Sequence, residues 1–153
     1  CGVFVELVLF LHLLAASIWV GGHLIIAFRF VPHAWSLLDA SELLAFEQKY
    51  EPIGMTALAA QIATGLHLAW AYSSDIAQWF DPHALPINVV GYKLITLLLT
   101  ALIAAHARFR VIPKLQKQPQ GAWVKVFCAH VLSVTILAIV FVYLGVVFRF
   151  GGV

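Results

Sequence analysis

The amino-acid sequence predicts an all-α integral membrane protein, a four-helix bundle with a short interfacial helix between the first two spans. Of its 153 residues, 63% are hydrophobic and 10% are charged. A soluble domain has about 45–50% apolar and about 25% charged residues, so this chain cannot cover a water-facing surface with polar side chains. Four apolar stretches have the length of a membrane span, and none shows the alternation of barrel strands. In hydrocarbon such segments form helices, which satisfy their own backbone hydrogen bonds.

Each span is predicted from a run of about 20 mostly apolar residues. The four spans cover residues 7–28, 53–72, 87–107 and 126–148. They take up most of the chain, and no connecting stretch is long enough for a separate soluble domain. We therefore predict a single transmembrane domain over residues 1–153, and inspection of the sequence reveals no internal repeat.

The three connections differ in character. Residues 36–51 intersperse leucines with charged residues, which is typical of a short amphipathic helix lying at the membrane interface. Residues 73–86 combine two prolines with aromatic residues, which indicates an irregular interfacial segment. Residues 108–125 are basic.

The basic residues predict the orientation of the spans. We call the membrane face next to residue 1 side A and the opposite face side B. Arg149 is the one basic residue beyond a span on side A. Side B carries Arg29, Lys49, Arg108, Arg110, Lys114, Lys117 and Lys125. The positive-inside rule puts side B in the cytoplasm, so we expect a multi-pass protein of the bacterial inner membrane with both termini in the periplasm.

Charge and motif content exclude several classes of function. The formal net charge is only +2, and no basic stripe with interleaved aromatic residues is present, so we expect no nucleic-acid partner. Cys1 and Cys128 form no metal or redox motif, and the predicted spans put them at opposite membrane faces. The sequence contains no nucleophilic triad, HExxH, P-loop or dinucleotide fingerprint.

Histidines are the main chemical signal of the spans. Five of the seven lie within spans or at their ends: His12, His23, His67, His106 and His130. Ionisable residues at membrane depth are costly and mark functional sites. The structural alternative is that each histidine only donates a hydrogen bond between helices.

Depth divides these histidines into two sets. His12 and His67 both fall in the side A half of their spans, whereas His23, His106 and His130 fall towards side B. Haem iron accepts two axial imidazoles from facing helices, so the two sets predict two b-type haems, one held by His12 with His67 and one by His23 with His130 or His106. Copper is the alternative cofactor, although the chain offers few soft ligands.

Four further residues are candidates for the cofactor sites. Lys93 is the single lysine inside a span, and it either extends towards the side A surface or pairs with a bound anion such as a haem propionate. Trp19 lies on the helix face of His12, where it serves either helix packing or cofactor contact. Arg29 and Arg108 are candidates for pairing the propionates of the inner haem, besides setting the topology.

Several segments resemble a known family. Residues 11–22, which read Leu-His-Leu-Leu-Ala-Ala-Ser-Ile-Trp-Val-Gly-Gly, resemble the first-helix signature of the CopD-like bacterial membrane proteins, named after copper resistance. The segments Arg29-Phe30-Val31-Pro32-His33-Ala34, Phe46-Glu47 with Thr64-Gly65, and Lys93-Leu94 through His106 resemble successive landmarks of the related HemJ-type protoporphyrinogen oxidases, which contain haem. The resemblance covers nearly the whole chain, and it implies a four-helix membrane protein in which His12 and Lys93 are functionally important.

The chain also departs from these relatives. Where the resemblance leads us to expect an acidic residue on the fourth helix, the sequence reads Cys128-Ala129-His130. His23 and His67 likewise go beyond the HemJ-type pattern. These differences add imidazoles and put the oxidase activity in doubt.

Three functions follow from these observations. The first is a di-haem b-type cytochrome, a membrane oxidoreductase that moves electrons within or across the bilayer, with quinol or another redox carrier as its partner. The second is a copper resistance or copper transport protein. The third is a HemJ-like protoporphyrinogen oxidase. The oligomeric state stays open, with a homo-oligomer as one option.

Overall fold

The computed structural model describes residues 2–152 and consists of long helices; Cys1 lies outside the described residues. The elements are α1 (Gly2–Ile25), a π-helical turn (Ile26–Phe30), α2 (Val31–Leu37), α3 (Ser41–Tyr72), a 3₁₀ turn (Ile76–Trp79), α4 (Val89–His106), a second π-helical turn (Ala107–Val111), α5 (Ile112–Lys117) and α6 (Ala122–Arg149). No strand occurs within residues 2–152. The predicted all-α membrane bundle is confirmed.

Three of the helices are long and apolar enough to cross a membrane. They are Gly2–Leu37, Val89–Lys117 and Ala122–Arg149, where the first two run unbroken through their π-helical turns. Span 53–72 lies in α3, a helix of 32 residues that is less apolar than the others. Three of its polar residues contact α1. Gln61 and Thr64 contact His12, and His67 contacts Phe4.

The prediction of a short interfacial helix over residues 36–51 is wrong. Residues 41–51 form the first turns of α3 and run on through Pro52 into the second span. The first long helix ends at Leu38, whose φ of 50° is left-handed. The apolar side of residues 41–51 is covered by protein rather than lipid, because Leu43 and Leu44 are buried in a cluster with Leu115 and Val124. This packing holds the segment in line with the span.

The structure contains an internal repeat that inspection of the sequence does not reveal. The elements that start at Ile26, Val31 and Ser41 return at Ala107, Ile112 and Ala122, each 81 residues later. Buried residues repeat with the same shift: Ile26 with Ala107, Val31 with Ile112, Ala34 with Leu115, Leu43 with Val124 and Ala57 with Ala138. The protein is therefore built from two similar helical hairpins, residues 2–72 and residues 89–149.

Proline accounts for the repeated π-helical turns. Pro32 and Pro113 occupy equivalent positions, and neither has a backbone N–H to donate. Just before each proline the hydrogen bonding widens by one residue: the Val31 N–H donates to the Ile26 carbonyl, and the Ile112 N–H donates to the Ala107 carbonyl. Such bulges let a helix continue past a residue that would otherwise interrupt it.

The two hairpins meet at side B through a symmetric pair of loops. The Ala40 N–H donates to the Pro119 carbonyl at 2.8 Å, and the Gly121 N–H donates to the Leu38 carbonyl at 2.9 Å. The 81-residue shift converts one bond into the other, because Ala40 corresponds to Gly121 and Leu38 corresponds to Pro119. An isologous two-fold contact has the same property. Asp39 and Gln120, which face each other there, lie on either side of a pseudo-two-fold axis.

Removal of the Asp39 carboxylate is expected to destabilise this contact in a pH-dependent way. Hydrogen bonds from Ser41 and Gln120 hold the pKa of Asp39 down at about 2, below the value of about 3.9 expected in an unfolded chain. A carboxyl with a lowered folded pKa stabilises the fold above the unfolded pKa and loses this contribution as the pH falls towards 2. The melting temperature of Asp39→Ala in detergent should therefore lie below that of the wild type at neutral pH and approach it near pH 2. An equal gap at both pH values would contradict this assignment.

The long helices pack in a row. The main contacts run from α3 to α1, from α1 to α6, and from α6 to α4. Trp19, Ala57 and Ala138 lie in the buried cluster that joins α1, α3 and α6. The two hairpins therefore pack on each other mainly through α1 and α6.

Candidate functional site

His12 is held at the α1–α3 contact by its Nδ1 atom. This nitrogen lies 3.0 Å from the Gln61 carbonyl oxygen and 3.0 Å from Thr64 Oγ1. A carbonyl only accepts, so Nδ1 carries the proton, and in the neutral ring Nε2 carries the lone pair. Gly65 makes this position possible, because a Cβ there would meet His12 Cε1 at 3.0 Å. The arrangement leaves Nε2 of His12 available as a ligand atom.

Lys93 is the counterpart of His12 in the second hairpin. It lies 81 residues later and packs against Gly145 of α6, much as His12 packs against Gly65 of α3. Its ammonium group is close enough to His12 for the two side chains to interact electrostatically. Because they are equivalent positions under the repeat, His12 and Lys93 lie on either side of the pseudo-two-fold axis.

The groups around this pair are not satisfied by the protein. Gln61 Oε1 is buried without a hydrogen-bond partner within residues 2–152, and Lys93 makes no hydrogen bond or ion pair with the described residues. Unpaired polar groups at membrane depth cost several kcal/mol, of order 2–7. His12 Nε2 and the Lys93 ammonium group therefore offer a nitrogen for a metal and a cation for an anionic group, and Gln61 Oε1 is a buried acceptor without a partner among the described residues.

His67 lies apart from His12. Its ring is exposed and meets the edge of Phe4 at a centroid distance of 5.4 Å. His12 is level with residues 61–65 on the antiparallel α3, whereas His67 is level with the start of α1. The described contacts do not bring the two imidazoles together, because His67 lies against Phe4, eight residues before His12 on α1.

His23 belongs to an aromatic cluster between α1 and α3. Its Nδ1 donates to the Trp19 carbonyl at 2.8 Å, and its ring contacts the rings of Trp19 and Tyr50. The Tyr50 hydroxyl donates to the same Trp19 carbonyl at 2.9 Å. Gly22 and Gly54 both lie against the Tyr50 ring, so these glycines make room for a tyrosine rather than for a macrocycle. Trp19 is buried and serves packing in this cluster.

His106 and His130 form a direct pair between α4 and α6. His130 Nδ1 donates to the Val126 carbonyl at 2.7 Å, so His130 Nε2 accepts a hydrogen bond from the Nδ1–H of His106, also at 2.7 Å. His23 does not reach this pair. Its carbonyl accepts from Thr135, which is five residues, or about 7.5 Å, further along α6 than His130. No group of three metal-ligating side chains occurs within residues 2–152.

The candidate arginines have other partners at side B. Arg108 forms an ion pair of 3.2 Å with Glu51, which links the second hairpin to α3. Burial raises the pKa of the neighbouring Glu47 carboxyl, with the Glu51 charge as a second cause. Arg29 lies over the ring of Phe30 at 5.9 Å. Neither arginine is directed towards His23 by a described contact.

Comparison with known proteins places this fold in a family. A model of the family described as copper resistance protein D matches residues 44–148, which is more than half of the chain. The chain belongs to the copper resistance protein D family. No curated protein and no solved structure matches it. The match includes His67, Lys93, His106 and His130, while His12 and His23 lie before it.

Membership of the copper resistance protein D family agrees with the resemblance drawn from the sequence. It makes the chain a copper-resistance-related, multi-pass membrane protein. Gln61 and Tyr50 contact the candidate histidines His12 and His23, although the sequence analysis does not single them out. A polar amide in the middle of the predicted second span is the sequence signal that marks Gln61. Tyr50 has no such signal, because it lies in the segment predicted to be interfacial.

Proposed function

We propose that this member of the copper resistance protein D family is a haem-binding b-type cytochrome of the membrane. The observation that carries the proposal is that His12, whose Nε2 has no hydrogen bond among the described residues, and the unpaired Lys93 occupy equivalent positions in the two hairpins. A lone-pair nitrogen and a cation at equivalent positions at membrane depth suit a ligand that has both a metal and a carboxylate.

The donor set fits haem b at this position. His12 Nε2 would bind the haem iron, with Nδ1 held by the Gln61 carbonyl and Thr64 as in other metal-bound histidines. Lys93 would pair with a propionate. When bound, haem supplies reversible one-electron chemistry. The chain orients it, excludes water and balances its charge.

A second haem towards side B has weaker support from the geometry. His23 offers a free Nε2, but its expected partners His106 and His130 bind each other. We therefore propose one haem at His12. The measured number of haems per chain shows whether a second haem is bound. The bacterial inner membrane, periplasmic termini and a quinol donor complete the proposal, supported by the basic residues of side B.

Copper handling is the second candidate function, favoured by the family description. The soft ligands do not support a buried copper site: Met55 is 59% exposed, and Cys128 is buried in an apolar cluster. Imidazoles are the copper ligands that remain.

Visible spectroscopy of the purified protein tests the cytochrome proposal. We expect a sharp α band on reduction with dithionite and at least one haem per chain by pyridine haemochrome. A preparation from haem-replete cells that contains no haem, and does not bind added haemin, would contradict the proposal. Two haems per chain would restore a ligand role for His23.

A further inference from the structure

The pair formed by His106 and His130 is not required by the fold. Under the 81-residue repeat, their counterparts in the first hairpin are Ile25 and Lys49, an exposed aliphatic residue and a charged one. The first hairpin packs without a histidine pair at this place. The second hairpin therefore adds two imidazoles at a place where the repeat by itself does not call for them.

The two rings are aligned as ligands to a common point. Their planes differ by 14°, and their centroids are 4.9 Å apart. That separation equals the N···N distance of 2.7 Å plus the radii of two five-membered rings, so the rings lie side by side and not face to face. Since nitrogen lone pairs lie in the ring plane, His106 Nδ1 and His130 Nε2 point at the same position from opposite sides.

One ring of the pair is fixed and the other is accessible. His130 is held by the bond from Nδ1 to the Val126 carbonyl, which keeps Nε2 unprotonated and aimed at His106. His106 is exposed at the outside of the bundle and has no other hydrogen bond among the described residues. Cys128 does not contribute, because its side chain is fully buried in the core on another face of α6. The site offers two nitrogens and no third protein ligand.

We infer that His106 Nδ1 and His130 Nε2 bind a monovalent d¹⁰ cation, Cu(I), in linear two-coordinate geometry. This assignment deepens the copper-handling candidate and does not depend on haem. Bonds of about 2 Å to each nitrogen hold them about 4 Å apart, so the pair opens by about 1.3 Å through rotation of the exposed His106 ring. On binding, the His106 proton moves from Nδ1 to Nε2 by exchange with water, so a neutral pair takes up the cation without net proton release.

Competition for Cu(I) against bicinchoninate under anaerobic conditions tests the site on the purified protein. His130→Gln keeps an oxygen that accepts from His106 but removes an imidazole, and His106→Ala removes the other ring. We expect the wild type to hold one more equivalent of Cu(I) than either variant. X-ray absorption of the wild type should show two nitrogen ligands at about 2 Å. His83→Ala, which removes an exposed loop histidine, should retain the extra equivalent.

The possible outcomes distinguish failure of the Cu(I) site from failure of the cytochrome proposal. Equal Cu(I) binding by the wild type and by both variants overturns the site, and so does an extra equivalent that His83→Ala removes. The haem that depends on His12, measured on the same preparations, should be retained in His130→Gln. A wild type that lacks haem but keeps the His130-dependent equivalent of Cu(I) contradicts the cytochrome proposal alone. A wild type that binds haem but lacks that equivalent of Cu(I) contradicts the copper site alone.

Discussion

The His12→Ala protein is expected to fold and to lose the haem of the His12 site. The substitution removes Nε2, the nitrogen that Gln61 and Thr64 hold in place from the other side of the ring. Loss of a supporting group around a metal ligand alone weakens binding by about 10–100-fold, so loss of the ligand should lower haem occupancy by at least about tenfold. Haem per chain is measured by pyridine haemochrome, and affinity by titration of the apoprotein with haemin.

Two further variants make this result specific. His33→Ala removes a half-exposed histidine at side B and serves as the matched control, with unchanged haem content expected. Lys93→Gln should keep the iron ligand and weaken haemin binding less than His12→Ala, because it removes a charge and leaves His12 in place. Unchanged haem in His12→Ala, with normal folding, would rule out His12 as a ligand of the haem iron.

The Gly91→Ala protein is expected to be substantially less stable than the wild type. Gly91 of α4 packs against the loop of residues 73–86, called here the side A loop. A Cβ at this position would lie 2.3 Å from the Trp79 carbonyl oxygen. Backbone cannot rotate away as a side-chain tip can, so the loop containing buried Trp79 has to move. Overpacking of this kind costs about 1–3 kcal/mol. That exceeds the gain of up to about 1 kcal/mol from replacing glycine in a helix.

Thermal unfolding in detergent measures this effect, at about 2–4 °C for each kcal/mol in a chain of this size. Gly21→Ala is the matched control within the chain. It also replaces a helical glycine, but a Cβ there meets nothing within 4 Å, so its melting temperature should stay equal or rise. A rise in both variants would show that the side A loop adapts without cost.

The candidate site was predictable only in part. The intramembrane histidines and Lys93 are visible as polar residues within apolar runs, and their cost in hydrocarbon marks them without any structure. Their partners are not visible, because an error of two to four residues in the span boundaries shifts depth by up to about 6 Å. That shift is enough to pair His12 with His67, whereas the structure puts His12 beside Gln61 and across the axis from Lys93.

The internal repeat escaped inspection for a related reason. The two hairpins share a short motif, Phe-Arg-x-x-Pro, at residues 28–32 and 109–113, and five residues are too few to reveal a repeat of 81 residues by inspection. Lipid-facing and core positions are equally apolar in a membrane protein, so composition does not distinguish them. The shared π-helical turns and the symmetric loop contact make the two hairpins recognisable as counterparts.

By itself, the sequence determined that this chain forms membrane helices, since hydropathy and span length are properties of consecutive residues that no tertiary contact has to supply. It also determined that residues 73–86 form an irregular connection. The tertiary structure alone decided that residues 41–51 continue into a span, that His12 lies across an axis from Lys93, and that His106 binds His130. These outcomes depend on helix rotation and register, which packing between distant residues sets.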